Sequence, residues 1–164
     1  MSEPGPSELE TATAYHEAGH AVLALALGRP VQRVSILPNQ LRLGACEFKK
    51  GSFKPTHDTI ETEILILLGG LAAEARRMGD YAWSGASADL RAVRGLTEMR
   101  AGSARQVARL ERRMLDKAEY LLDQPGHWEA VTRIAEELLK TTVISGRAAR
   151  HYFDEEVRKA EREG

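Results

Sequence analysis

Thr13-Ala14-Tyr15-His16-Glu17-Ala18-Gly19-His20-Ala21 decides how this chain is read. It sets His-Glu-x-x-His inside an apolar helical pattern that continues through Val22, Leu23, Leu25 and Ala26. Helical residues four apart share a face, so His16 and His20 aim their rings at one point and Glu17 flanks it. Neutral imidazoles suit zinc, and a catalytic zinc keeps one position open for water. Bound zinc lowers the pKa of that water to about 7. A neighbouring carboxylate then takes the proton and later returns it to a leaving amine. The pattern therefore predicts metal-assisted peptide hydrolysis, with Zn2+ at His16 and His20 and Glu17 as the base. The same three side chains on a solvated helix would be a chance match. In an apolar helix they need partners, because unpaired buried polar groups cost several kcal/mol. Gly19 lies inside the helix at a cost of about 1 kcal/mol against Ala, which predicts a close neighbour at that point.

The chain is 164 residues long, 43% hydrophobic and 29% charged, with a formal net charge of -1. That composition suits one globular domain and gives no reason to expect a nucleic-acid partner. A single cysteine, Cys46, excludes an internal disulfide framework and favours a reducing, cytoplasmic setting. The apolar runs at Ala21–Leu27 and Ile64–Ala73 are too short to span a bilayer, and Met1–Glu10 does not read as a signal peptide. No GxxxxGK[ST] phosphate loop is present.

Outward from the motif, residues 1–10 read as a flexible start and 11–164 as one domain. A helix begins near Ser7 or Thr11 and stops at Gly28-Arg29-Pro30. Val31–Leu37 alternates as a strand, Pro38-Asn39-Gln40 turns, and Leu41–Phe48 reads as a second strand broken by Gly44. Lys49–Pro55 is a polar loop. A helix from about His57 to Met78 is apolar all round at its centre, and Gly69-Gly70 there suits close helix packing. After a loop over Gly79–Ala86, helices follow from Ser87 onward. Val107, Leu110, Met114, Ala118 and Leu121 form one apolar stripe, and Trp128, Val131, Ile134, Ala135 and Leu138 another. Ile144-Ser145-Gly146 is expected to break the helical run before a last helix from Arg147 to Lys159. The fold class is mainly α, with a small two- or three-stranded β element.

A catalytic zinc needs a third protein ligand. From residue chemistry alone the choice stays open among His57, His127, His151, Glu74 and Asp89. Asp89 also reads as a first-turn acid suited to the helix dipole, with Ser87 as the cap. Four blocks in order bear on this. Thr13–Ala21, Val34-Ser35-Ile36-Leu37-Pro38, Leu68-Gly69-Gly70-Leu71-Ala72-Ala73-Glu74 and Ser84-Gly85-Ala86-Ser87-Ala88-Asp89-Leu90 resemble the peptidase domain of the FtsH-type zinc metallopeptidases, family M41. The resemblance covers about residues 11 to 155. It implies a mostly helical fold, His16, His20 and Asp89 as zinc ligands, and Glu17 as base. The departures are Leu71 where the family usually has Arg, Ala88 where it has Asn, and Pro38-Asn39-Gln40 for Pro-Arg-Gly. None falls on an implied ligand or on the base.

Members of that family carry an ATPase and a membrane anchor, and they form hexameric rings. This chain reads as the peptidase domain without either. The expected function is a zinc endopeptidase that cuts unfolded proteins or peptides without its own ATP hydrolysis, with the peptide added to an edge of the Val31–Phe48 strand pair. Tyr15, Tyr81 and His151 are the candidates for stabilising an oxyanion. Two other readings compete: a non-catalytic adaptor of the same fold, and a peptidase fed by a separate ATPase. The apolar stripes suit either a core or a homo-oligomer interface.

Overall fold

The computed structural model describes residues 4–38, 45–48, 58–83 and 87–164. Sequence expectations at Asn39–Gln40, Leu41–Gly44, 49–55, His57 and Ser84-Gly85-Ala86 lie outside them. The described elements run α1 (Glu8–Ala26), β1 (Val31–Ser35), β2 (Ala45–Phe48), α2 (Thr59–Met78), α3 (Ser87–Glu98), α4 (Ala104–Leu122), α5 (His127–Thr141), β3 (Val143–Ser145) and α6 (Gly146–Glu163). This is the mainly α fold with a small sheet that the patterning predicts.

α1 starts on a reciprocal cap. The Glu10 N–H donates to Ser7 Oγ at 3.1 Å, and the Ser7 N–H donates to Glu10 Oε1 at 3.3 Å. From Ala14 to Leu25 nearly every residue of α1 is buried, so it is the central helix. α2 starts on the Asp58 carboxylate, which accepts from the N–H groups of Ile60 and Glu61. It ends at Gly79, where φ is 96°. At the chain's first bend, Arg29 pairs with Glu63 of α2 and lies 4.4 Å from the centre of the Phe48 ring, tying α1, α2 and β2 together.

α1 and α2 cross where neither has a side chain. A Cβ on Gly19 would lie 2.4 Å from the carbonyl oxygen of Gly69 and 2.5 Å from Cβ of Ala73. The close neighbour expected at Gly19 is thus the backbone of α2. Gly19→Ala would gain about 1 kcal/mol of helix propensity but must push two backbones apart. Overpacking of that kind costs about 1–3 kcal/mol or more. With a backbone oxygen 2.4 Å away the cost falls at the upper end, so the net expectation is a loss of about 1–2 kcal/mol and a thermal midpoint lower by about 2–8 °C for a domain of this size. A melt with an unchanged or higher midpoint would contradict this account of the crossing.

The sheet has the order β2-β1-β3, with both pairings antiparallel. β3 corrects the sequence reading. Ile144-Ser145 does not merely interrupt the helices. It pairs with β1 in the register Arg33↔Ser145, Val34↔Ile144, Ser35↔Val143, and α6 begins at Gly146 and runs on to Glu163. A three-residue strand is too short to display alternation, so only tertiary pairing reveals it. Val34 and Ile144 are buried, and Cys46 on β2 is a buried strand residue. The two expected stripes sit on α4 and α5. On α5, Val131, Ile134, Ala135 and Leu138 are fully enclosed, and Trp128 packs on Tyr15 of α1 at 5.8 Å between ring centres. Among the described residues, no helix is long and apolar enough to cross a membrane.

Candidate metal centre

The crossing of α1 and α2 sets the site. One turn separates His16 from His20, and their rings meet edge to face at 4.6 Å and 85°. One donor atom each from His16, Glu17 and His20 lies within 4.8 Å of the others. The first turn of α3 brings in Asp89. Its Oδ2 is 2.8 Å from His16 Nε2 and 3.2 Å from His20 Nε2. All of these groups are largely enclosed: side-chain exposure is 12% for His16, 7% for His20 and 19% for Asp89.

The far ring nitrogens are fixed by other partners. Nδ1 of His20 lies 2.7 Å from the carbonyl oxygen of Ile66, which can only accept, so that nitrogen carries the hydrogen. Nδ1 of His16 donates to Glu74 Oε1 at 3.1 Å. Partners of this kind set the tautomer and orient a histidine toward a metal. α2 therefore serves the site from behind, and it also leaves space in front. A Cβ on Gly70 would lie 2.5 Å from His20 Cε1, 2.6 Å from His20 Nε2 and 2.9 Å from His16 Cδ2.

This arrangement tests the fit of a cation. With the Nδ1 hydrogen of His20 given to Ile66, its Nε2 and the Asp89 oxygen 3.2 Å away need either a proton or a metal ion between them. Donor atoms around a tetrahedral zinc at about 2.0–2.1 Å lie about 3.3 Å from one another. The observed 2.8 and 3.2 Å separations are close to that, and two imidazoles with one carboxylate form a donor set that zinc accepts. The residues fit the group.

Protons follow the same charges. Burial pushes the His16 imidazole down, but hydrogen bonds to Asp89 and Glu74 and the charges of Glu17 and Asp89 draw it up to about 10. Burial pushes the Asp89 carboxyl up, yet the hydrogen bonds from His16 and His20 outweigh this and hold it well below the usual carboxylate range. A folded pKa raised from 6.5 to about 10 contributes stability that is full below pH 6.5 and is lost as pH rises through about 10. Chelator-treated protein should therefore melt at progressively lower temperature across that window. Zinc added near neutral pH should release the His16 proton, because the ligand form is the neutral ring. Melts at about pH 6, 8 and 9.5 check the first expectation, and calorimetry in buffers of differing ionisation heat checks the second.

The structure brings together His16, Glu17, His20 and Asp89. Of the other candidates for third ligand, Glu74 reaches the site only through the back of His16. His127 Nδ1 donates to the Leu121 carbonyl at 2.6 Å, and His151 pairs with Glu155 at 2.8 Å. Of the oxyanion candidates, His151 and Tyr81 have partners for their polar atoms. The Tyr15 ring lies on Trp128, and the Tyr81 hydroxyl donates to Glu119 while its ring stacks on Trp83. Sequence reasoning did not find the Ile66 carbonyl, for which no residue type gives a signal. It also assigned both glycines of α2 to helix packing, whereas Gly69 meets α1 and Gly70 makes room for the imidazoles.

Known proteins are similar to this chain in sequence. A sequence model described as Peptidase family M41 matches residues 6–103, more than half of the chain. A protein of Acidimicrobium ferrooxidans named ATP-dependent zinc metalloprotease FtsH is 33% identical over 156 residues, 92% of this chain and 21% of that relative. A protein of the same name from Chlamydia trachomatis is 39% identical over 82 residues, 48% of this chain and 9% of its own length. ATP-dependent zinc metalloprotease FtsH 1 of Sorangium cellulosum is 41% identical over 102 residues, 57% of this chain and 16% of that relative. The chain thus spans about a fifth or less of the length of these relatives. With the family's sequence pattern matched across α1, α2 and α3, the chain belongs to peptidase family M41.

Proposed function

We propose that this chain is a zinc-dependent endopeptidase in which His16 Nε2, His20 Nε2 and Asp89 Oδ2 hold the metal and Glu17 is the base. The observation that carries the reading is the convergence of those three donor atoms while both Nδ1 hydrogens are committed elsewhere. Zinc bound there would polarise a scissile carbonyl and make a water acidic enough to act as nucleophile near neutral pH. Glu17 takes the proton from that water and delivers it to the leaving amine. Glu74 and the Ile66 carbonyl keep the two rings aimed while this happens.

The substrate is an unfolded protein or a peptide, because the centre needs an extended chain laid across it. β1 is flanked on both sides, so the strand edges left for such a chain are the outer edges of β2 and β3 among the described residues. One observation favours a second reading. The relatives are named ATP-dependent and this chain covers only part of them, so the same centre would then hydrolyse substrate delivered by an ATPase module.

Metal removal tests the reading. The purified chain should bind one zinc per chain and digest casein without ATP, and a chelator should stop digestion until zinc is restored. Failure to bind zinc would sink the proposal. Zinc binding without digestion would remove the ATP-independent part and leave the delivered-substrate reading in front.

A further inference from the structure

Away from the metal centre, the start of α2, the loop between α3 and α4 and the first turns of α4 enclose a groove of about 400 Å³. It lies roughly 9–15 Å along α2 from Gly70, at 1.5 Å per residue, and shares no residue with the site above. The floor is apolar and built from Ile60, Ile64, Leu110 and Met114. Three arginines and one glutamate stand around it. The glutamate, Glu61, is held by Lys117, and Arg100 is held by Asp58. Arg109 and Arg113 are one helical turn apart, both exposed, and neither has a carboxylate partner among the described residues. In contrast Arg94, on the facing helix, is paired with Glu111 and Arg112 with Asp116. Met99, next to Arg100 in the same loop, is 69% exposed.

Unpaired guanidinium groups over an apolar floor select for a ligand that is anionic and apolar at once. Guanidinium forks bind carboxylates bidentately, and a bulky side chain entering between them removes the floor from water. A bare phosphate would leave the floor uncovered, and nucleic acid calls for a longer basic track than this one. We propose that this groove binds an acidic peptide segment, with an apolar side chain against Ile60, Ile64, Leu110 and Met114 and flanking carboxylates on Arg109 and Arg113. It is a docking surface separate from hydrolysis and holds whether or not the zinc reading does.

The test is fluorescence anisotropy on the full chain carrying Glu17→Gln, so that the probe is not cut. The probe is a labelled peptide, Asp-Glu-Phe-Leu-Glu-Asp, with Lys-Lys-Phe-Leu-Lys-Lys as its charge-reversed partner. Saturable binding of the acidic probe is expected with Kd of about 10–100 μM, weakening as salt rises, and no binding of the basic one. Arg109→Glu with Arg113→Glu should weaken the acidic probe by at least about tenfold and gain binding of the basic probe. Arg109→Gln with Arg113→Gln removes the charge more mildly and guards against misfolding of the reversed pair, with circular dichroism reporting the fold. The proposal is overturned if the acidic probe does not bind below about 1 mM. It also falls if both probes bind alike, or if the glutamine pair keeps the wild-type affinity. Sedimentation supplies the remaining arm. Self-association that disappears in the glutamine pair would give the groove to a second copy of this chain and overturn the peptide.

Discussion

Glu17→Gln is expected to leave zinc bound and to lower peptide hydrolysis by about a hundred- to ten-thousandfold, the contribution of a positioned acid–base group. The substitution keeps the length and the planar end of the side chain, so the buried space at 5% exposure is filled as before. It also leaves His16, His20 and Asp89 untouched. What it removes is the ability to take a proton. An amide next to the attacking water can orient it but cannot deprotonate it, and it has no proton to hand to the leaving amine. Zinc content by elemental analysis should therefore match wild type while casein digestion falls to background. A variant that digests within tenfold of wild type would take Glu17 out of the base role. Loss of zinc together with activity would show that Glu17 supports the metal centre rather than the proton transfer.

Gly70→Ala should have an effect of similar size by a different route. The added methyl would sit 2.5 and 2.6 Å from two ring atoms of His20 and 2.9 Å from the ring of His16. Those rings cannot swing aside without giving up the hydrogen bonds to Ile66 and Glu74. α2 can retreat only by giving up the close packing of Gly69 on Leu23 and on the backbone of Gly19. The imidazoles must therefore lose their shared aim at Asp89. Zinc affinity is expected to fall by at least the ten- to hundredfold typical of losing a ligand's orienting partner, because both rings are displaced at once. Competition titration against a chromophoric chelator measures this. Wild-type affinity in Gly70→Ala would mean that the rings have more room than this geometry allows.

Much of the architecture was legible because it rests on local patterns. The Ser7 cap, the stops at Gly28 and Gly79, and the stripes on α4 and α5 follow from residue types at fixed spacings, whereas the Asp58 cap was not read from the sequence. The pair His16 and His20 was legible for the same reason, since a helix alone places them together. Asp89 was different. It sits in another helix, and residue chemistry left the choice open among it and other acids and histidines until the resemblance singled it out. Its approach to both Nε2 atoms depends on how α3 packs against α2, which no local pattern encodes. β3 and the division of labour between Gly69 and Gly70 were hidden for the same reason. Each is settled by a neighbour far away in sequence.

β3 also bears on how the chain reaches this structure. Val34 pairs with Ile144, more than a hundred residues later, and Tyr15 waits for Trp128. Closing loops of that length is an entropic cost met before the contacts form, and it slows folding. During synthesis, α1 leaves the ribosome before α5 and β3, and the face of α1 that meets α5 is covered only when α5 arrives. The stretch matched to the family, residues 6–103, ends before either, so it carries the proposed site residues without the elements that cover the outer face of α1. A chain cut there would expose the face of α1 that meets α5, including Tyr15 where it packs on Trp128.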